Sequence, residues 1–188
     1  MREDDDNMEE PVVAYVFIEH VDDPDPWGKL TTWFDNDETV RFVGQFVGSF
    51  FAFARVEVDT FQRLQAKIAG DYWTAGVHCK WSIAVKPGVT LPKKNGTTYC
   101  ALVQISTAPG NDPEVVMARL RKAFADWPDD LHLGTAVVTG DYDILLTFGA
   151  GSANDLRDAI IGRVREVSGV GKTETAFANL DGFELHRD

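Results

Sequence analysis

The feature that most constrains this sequence is that it repeats. Val12 to Ile18 (VVAYVFI) is an apolar run with strand character, and Tyr99 to Ile105 (YCALVQI) restates it 87 positions later, matching Ala14 to Ala101, Val16 to Val103 and Ile18 to Ile105. Each run leads to a helix start of the same chemistry, Asp25-Pro26 in one half and Asp112-Pro113 in the other, again 87 apart. An N-cap Asp accepts a hydrogen bond from an otherwise unpaired helical N–H, and a proline at the first helical position gives up a donor that would be unpaired anyway. Apolar residues four apart then supply one buried stripe per helix, Leu30 and Phe34 in the first and Val116, Leu120 and Phe124 in the second.

Two strands around a glycine turn follow in each half, within Val43 to Val58 and Gly134 to Ala150, with Gly48 and Gly140 at a spacing of 92. Thr60 opens a second helix in the first half, with Phe61, Leu64 and Ile68 at helical spacing. Ser152 opens its counterpart, with Asp155 completing a capping box. The steps Gly76-Val77 and Gly169-Val170 end these helices and begin the last strands, Val77 to Val85 and Thr173 to Leu180. Two rounds of β-α-β-β-α-β predict an α+β protein made of two tandem ferredoxin-like modules, each an antiparallel sheet with both helices on one face. The strands are apolar on both sides, so the second face of each sheet also needs cover. The expectation is that the two modules pack sheet to sheet within the chain. The boundaries implied are a tail 1–10, a module 11–86, a polar linker 87–98, a module 99–180 and an extension 181–188, in which Phe183 and Leu185 are placed to add a short edge strand.

Composition narrows the function. With 44% hydrophobic and 26% charged residues the chain is globular rather than disordered. No window reaches the roughly 18 apolar residues of a membrane span, and the N-terminus lacks the order of a signal peptide, so a cytoplasmic protein is expected. Eighteen basic against 30 acidic residues give a net charge of -12, which opposes a phosphate backbone and excludes a broad grip on nucleic acid. Six carboxylates and one Arg occupy the first ten residues, an expected disordered solubilising tail, with an acidic interaction arm or a halophile's acidic surface as the alternatives. Cys79 and Cys100 lie in strands without a CxxC and read as small core residues. His20, His78, His132 and His186 show no metal spacing, so neither metal nor cofactor is expected. Gly171-Lys172-Thr173 looks like the end of a phosphate loop, but Glu166 stands where that loop needs glycine, and a strand follows.

The richest chemistry sits at Thr139-Gly140-Asp141-Tyr142-Asp143. Gly140 can adopt the positive φ of a tight turn. Asp141 and Asp143, two apart on an extended strand, would point to one side and accept hydrogen bonds from an ammonium group, with Tyr142 pointing the other way. The alternative is turn chemistry, with Asp141 bonding its own backbone and Asp143 solvated. The first half has Gly48-Ser49-Phe50-Phe51 here and no carboxylate. Its many aromatics are expected to fill the space that a ligand would take in the second half, the alternative being an aromatic pocket.

The stretch Thr139 to Leu146 (TGDYDILL), with Gly169-Val170 and Thr173-Glu174-Thr175, resembles the effector-binding (RAM) domain of the Lrp/AsnC regulators. The resemblance covers about 99–180 and extends to 12–85 only in architecture. It implies that the modules pair as an intrachain dimeric α/β barrel. It further implies an amino-acid-like ligand at Gly140, Asp141, Tyr142, Asp143 and Thr175, with Ala176 and Phe177 nearby. The family's DNA-binding helix-turn-helix has no counterpart, since an acidic tail precedes the first strand. The expected function is therefore a non-enzymatic small-molecule-binding or regulatory protein, homo-oligomeric or partnered with an Lrp-like regulator, without nucleic acid or membrane as partner. Two alternatives stand beside it. One is a structural partner of such a regulator. The other is a dimeric α/β barrel enzyme of monooxygenase, isomerase or haem-type decarboxylase class, for which His20 and His132, near strand ends, are candidates to face a cleft.

Overall fold

Asp25 and Asp112 act as the N-caps that the sequence assigns them. In the computed structural model, which describes residues 10–92, 97–127, 132–179 and the backbone of 184–186, the Gly28 N–H donates to Asp25 Oδ1 at 3.1 Å and the Glu114 N–H to Asp112 Oδ1 at 2.8 Å. Thr60 and Ser152 likewise take the N–H groups of Arg63 and Asp155. The elements so delimited are β1 (Val12–Val21), α1 (Pro26–Asn36), β2 (Val40–Gln45), β3 (Ala52–Val58), α2 (Phe61–Ala66) and β4 (Val77–Lys86) in the first half. The second half holds β5 (Tyr99–Thr107), α3 (Pro113–Ala123), β6 (Leu133–Thr139), β7 (Ile144–Ala150), α4 (Ala153–Gly162) and β8 (Val170–Asn179), followed by β9 (Glu184–His186). A π-helical turn, Lys67–Tyr72, continues α2, and a 3-10 turn, Val164–Glu166, follows α4. No helix among the described residues is long and apolar enough to cross a membrane.

The strands form one antiparallel sheet in the order β8-β5-β7-β6-β4-β1-β3-β2-β9. A barrel of two modules packed sheet to sheet was expected, and the structure is a barrel in which the halves also join edge to edge. β4 pairs with β6 through Ile83↔Thr139 and Ala84↔Val138. On the far side Val47 and Phe177 exchange N–H···O bonds of 2.7 and 2.9 Å, which links the end of β2 to β8 and closes the ring. The physical reason is that an open edge exposes a row of unpaired backbone groups, and closure removes it. β9 pairs with β2 at Val43↔Leu185.

Strand alternation divides the apolar residues into a lumen core and two helix-side cores. The lumen takes six rings from the first half, Tyr15, Phe17, Phe42, Phe46, Phe50 and Phe53, against smaller residues of the second such as Ala136, Ala176 and Ala178. Phe50 thus enters the lumen, while Phe51, its neighbour in sequence, packs on the helix side. Outside, Leu30, Phe34 and Leu64 cover one half, and Val116, Leu120 and Leu156 the other. The segment after β4 closes one end of the barrel: Val89 and Leu91 are buried with the lumen residues, and the Tyr15 hydroxyl accepts the N–H groups of Gly88 (3.2 Å) and Val89 (3.0 Å).

Candidate functional site

With one barrel end plugged by 87–92, the polar chemistry collects at the other. The register Phe17↔Lys80, Ile18↔Cys79, His20↔His78 leaves Glu19 as an extra residue in β1, a bulge. Its carboxylate meets Lys80, with Nζ 2.7 Å from Oε1. Across the barrel, Gln104 of β5 lies opposite Glu174 of β8. Tyr142, on the loop between β6 and β7, donates its hydroxyl to Glu174 Oε2 at 2.6 Å, and Lys172 donates to Oε1 at 2.5 Å. The Tyr142 ring meets Phe17 edge to face, with centroids 6.3 Å apart. These groups, with Ser49 and Phe50, surround a cavity of about 30 Å³, room for one water. Gln104 is 3% exposed and its Oε1 has no hydrogen-bond partner. The hydroxyl oxygens of Ser82 and Thr175 are also buried without partners.

The charges settle the protonation states. Burial, then the bond to Glu174, pushes the Tyr142 phenol well above its ordinary value, so it stays a donor. The Lys172 ammonium, then the Tyr142 hydroxyl, hold Glu174 below the usual carboxylate range, so it stays ionised. The Glu19 carboxylate raises Lys80, which remains cationic.

The residues predicted as a ligand set separate here. Tyr142 lines the cavity. Gly140 holds φ +147° at the turn, facing Trp81 and Ser82 of β4. Asp141 is exposed, and Asp143 Oδ2 accepts the Thr107 N–H (2.7 Å) and hydroxyl (2.9 Å), tying the loop to the end of β5. The same-side placement of the two aspartates presumed an extended strand, which begins only at Ile144. Glu19, Lys80, Gln104, Lys172 and Glu174 join Tyr142 at this end of the barrel without having been marked as site residues by the sequence. One signal pointed to Gln104: it stands 87 after Phe17, the one polar residue in the otherwise apolar YCALVQI run. Lys80 and Glu174 stand 94 apart, at matching places in the two last strands.

No protein-family model and no curated protein matches the chain. Solved structures do. An anthrone oxidase-like protein aligns over 95% of this chain and 94% of its own, with a TM-score of 0.60 and 11% identity. A mutant chlorite dismutase from Candidatus Nitrospira defluvii aligns over 89% and 90%, at 0.57 and 11%. A haem-binding protein from Thermus thermophilus aligns over 89% and 90%, at 0.53 and 10%. The fold is similar to that of the dimeric α/β barrels.

This corrects the expectation of a regulator's effector domain. Solved structures that follow both halves of the chain together include oxidase-like, haem-binding and chlorite dismutase proteins, whereas the TGDYD resemblance rests on one half. What that motif reports is a turn of this barrel: Gly48 holds the same φ of +147° against Thr175 and Ala176 as Gly140 does against Trp81 and Ser82. Haem, which such neighbours suggest, does not fit the described residues. Haem iron needs a His, Cys, Met or Tyr ligand facing a large cavity. His20 and His78 are bonded to Asp22, and His132 to Thr90 O and Thr147. Two grooves among the described residues, of about 710 Å³ beside α1 and about 500 Å³ beside Arg55, are lined by none of those four residue types.

Proposed function

We propose that this chain is a dimeric α/β barrel enzyme of oxidase or monooxygenase type, working without haem, in which Glu174 and Tyr142 handle a proton of a small carbonyl-bearing or phenolic substrate. The observation that carries this reading is the Tyr142–Glu174 pair beside the unpartnered Gln104 Oε1, in a lumen that is otherwise apolar. A buried acceptor without a partner is costly and calls for a donor from a bound molecule. Glu174, ionised through Lys172, is the base that removes the proton, and Tyr142 donates to the substrate oxygen on which negative charge develops. Lys80 adds a positive charge at the same cavity wall. The substrate gains room by an outward shift of the loop that carries Tyr142, whose hydroxyl passes from Glu174 to the substrate oxygen. Oxidase-like and monooxygenase neighbours sharing the fold support the reaction class.

The five ligand positions divide accordingly. Tyr142 contacts substrate, Gly140 and Asp143 shape the loop, Asp141 adds negative charge near Lys80, and Thr175 offers a buried hydroxyl at the seam between halves. We further propose that 11–86 and 99–180 are tandem copies of one ferredoxin-like module joined by 87–98. The matched caps, the two glycines at φ +147° and the repeated element order support this.

The test measures solvent deuterium incorporation and dioxygen uptake with anthrones, hydroxyquinols and 1,3-diketones. Wild type should exchange or oxidise at least one class, with Glu174→Gln about 100-fold slower and Tyr142→Phe about tenfold slower. The rate should hold through neutral pH and fall on the acid side below the usual carboxylate range, because Glu174 acts only when ionised. No turnover above the Glu174→Gln background with any class would sink the proposal.

A further inference from the structure

The plugged end of the barrel carries a second and larger cavity, of about 500 Å³, whose chemistry points to a different molecule. Its walls are apolar: Val13 and Ala84 belong to the edge of the lumen core, and Val85 and Pro87 continue the surface outward. Set into this wall is Arg55 of β3, opposite Tyr15 of β1, with its side chain only 19% exposed. Among the described residues its ion-pair partner is Glu57, with Nη2 2.5 Å from Oε1. The other oxygen of that carboxylate accepts from Arg41 Nε at 2.8 Å. One carboxylate therefore serves two guanidiniums. Arg55 Nε is buried and has no hydrogen-bond partner. Lys86 lines the same cavity with its ammonium 3.2 Å from Glu114 on α3, and Glu10 lines it without a bond to Arg55.

In a chain of net charge -12, a largely enclosed guanidinium that shares its ion-pair partner and leaves Nε unpaired is not a solvated surface charge. A guanidinium whose Nε–H is unpaired and whose Nη2 shares its carboxylate with a second guanidinium has donors to offer another carboxylate, the anion its planar geometry matches. The apolar walls beside it suit a hydrocarbon body rather than a second charge. We propose that this groove binds an apolar monocarboxylate, aryl or short-chain alkyl, with its carboxylate on Arg55 and its body against Val13, Ala84 and Val85. The site is separate from Tyr142 and Glu174 and stands whether or not those residues act on a substrate.

Calorimetric titration of the full chain with octanoate and benzoate tests this, with octanol and inorganic phosphate as controls. Saturable binding of a carboxylate is expected, with the matched alcohol and phosphate much weaker. Arg55→Lys, which keeps the charge but loses the fork, should weaken binding about tenfold or more, as should Val85→Glu at an exposed wall position that leaves the core untouched. Octanol binding as well as octanoate, phosphate competing as well as either acid, or both variants binding like wild type would each overturn the assignment.

Discussion

Gly48 and Gly140 show how much one backbone angle decides. Both hold φ +147°, a region that residues with a Cβ rarely adopt, and both sit where a turn of one half meets a strand of the other. A Cβ at Gly48 would lie 3.0 Å from Ala176 Cα and 3.1 Å from Thr175 O, atoms of backbone that cannot step aside. At Gly140 the nearest atom, 2.7 Å away, is the Ser82 hydroxyl, which can rotate. Gly110 offers a control, with φ +81° and nothing within 4 Å. In urea unfolding, Gly48→Ala should therefore cost about 3 kcal/mol, strain and clash together, against about 1 kcal/mol for Gly110→Ala. Equal costs would mean that the seam does not press on the turn. The need for glycine at both turns was legible, because the repeat register aligns them within similar hairpins. The neighbouring strand was not, since Ala176 is 128 residues away and leaves no mark on the local pattern.

At the level of elements, helix starts were readable and the path of α2 was not. Thr60, Ser152, Asp25 and Asp112 cap as expected because capping is local chemistry. Of the stripe Phe61, Leu64, Ile68, the last two are buried as expected, whereas Phe61 is 43% exposed and the π-helical turn Lys67–Tyr72 brings Tyr72 into the core as well. The turn also carries Lys67 to Asp37 at the end of α1, with Nζ 2.7 Å from Oδ2 and side chains only 14% and 12% exposed. Burial pushes the Asp37 carboxyl up, but its bonds to Lys67 and Thr39 more than offset this and hold it below its ordinary value. A depressed folded-state pKa means the pair stabilises above the unfolded pKa and that this contribution fades as pH falls through the folded value. Lys67→Met should thus cost about 1–3 kcal/mol at neutral pH, by leaving a mostly buried carboxylate with reduced pairing. The gap between variant and wild type should close in acid, below the folded-state pKa of Asp37. Urea midpoints at both pH values check this, and a gap that persists unchanged would assign the loss to packing of the Lys67 stem.

For the whole molecule, the barrel's asymmetry followed from composition, while its closure did not. Aromatic residues concentrate in the first half, and six of them do fill the lumen. The joins between halves, β4 to β6 and Val47 to Phe177, are backbone hydrogen bonds between strand edges and have no side-chain signature. The role of 87–92 was hidden for a related reason: the segment reads as a polar linker, but Val89 and Leu91 within it are the residues that matter, and Tyr15, 74 positions earlier than Val89, is what fixes them. Tyr15 is buried, and that burial raises its phenol above the ordinary value, so the hydroxyl stays neutral and its bonds to the plug do not titrate near neutrality. Tyr15→Phe keeps the ring in the lumen and removes only the hydroxyl, which accepts the Gly88 and Val89 N–H groups and donates to Val89 O at 3.4 Å. Two amides without their acceptor should cost about 2 kcal/mol in total. The loss should be concentrated at the plug: hydrogen exchange at Gly88 and Val89 should speed up beyond the global change, while Leu146, in the middle of β7, should follow global stability alone. If Gly88 and Val89 exchange no faster relative to Leu146 than in wild type, the plug is held by Val89 and Leu91 burial, and Tyr15 only packs against it.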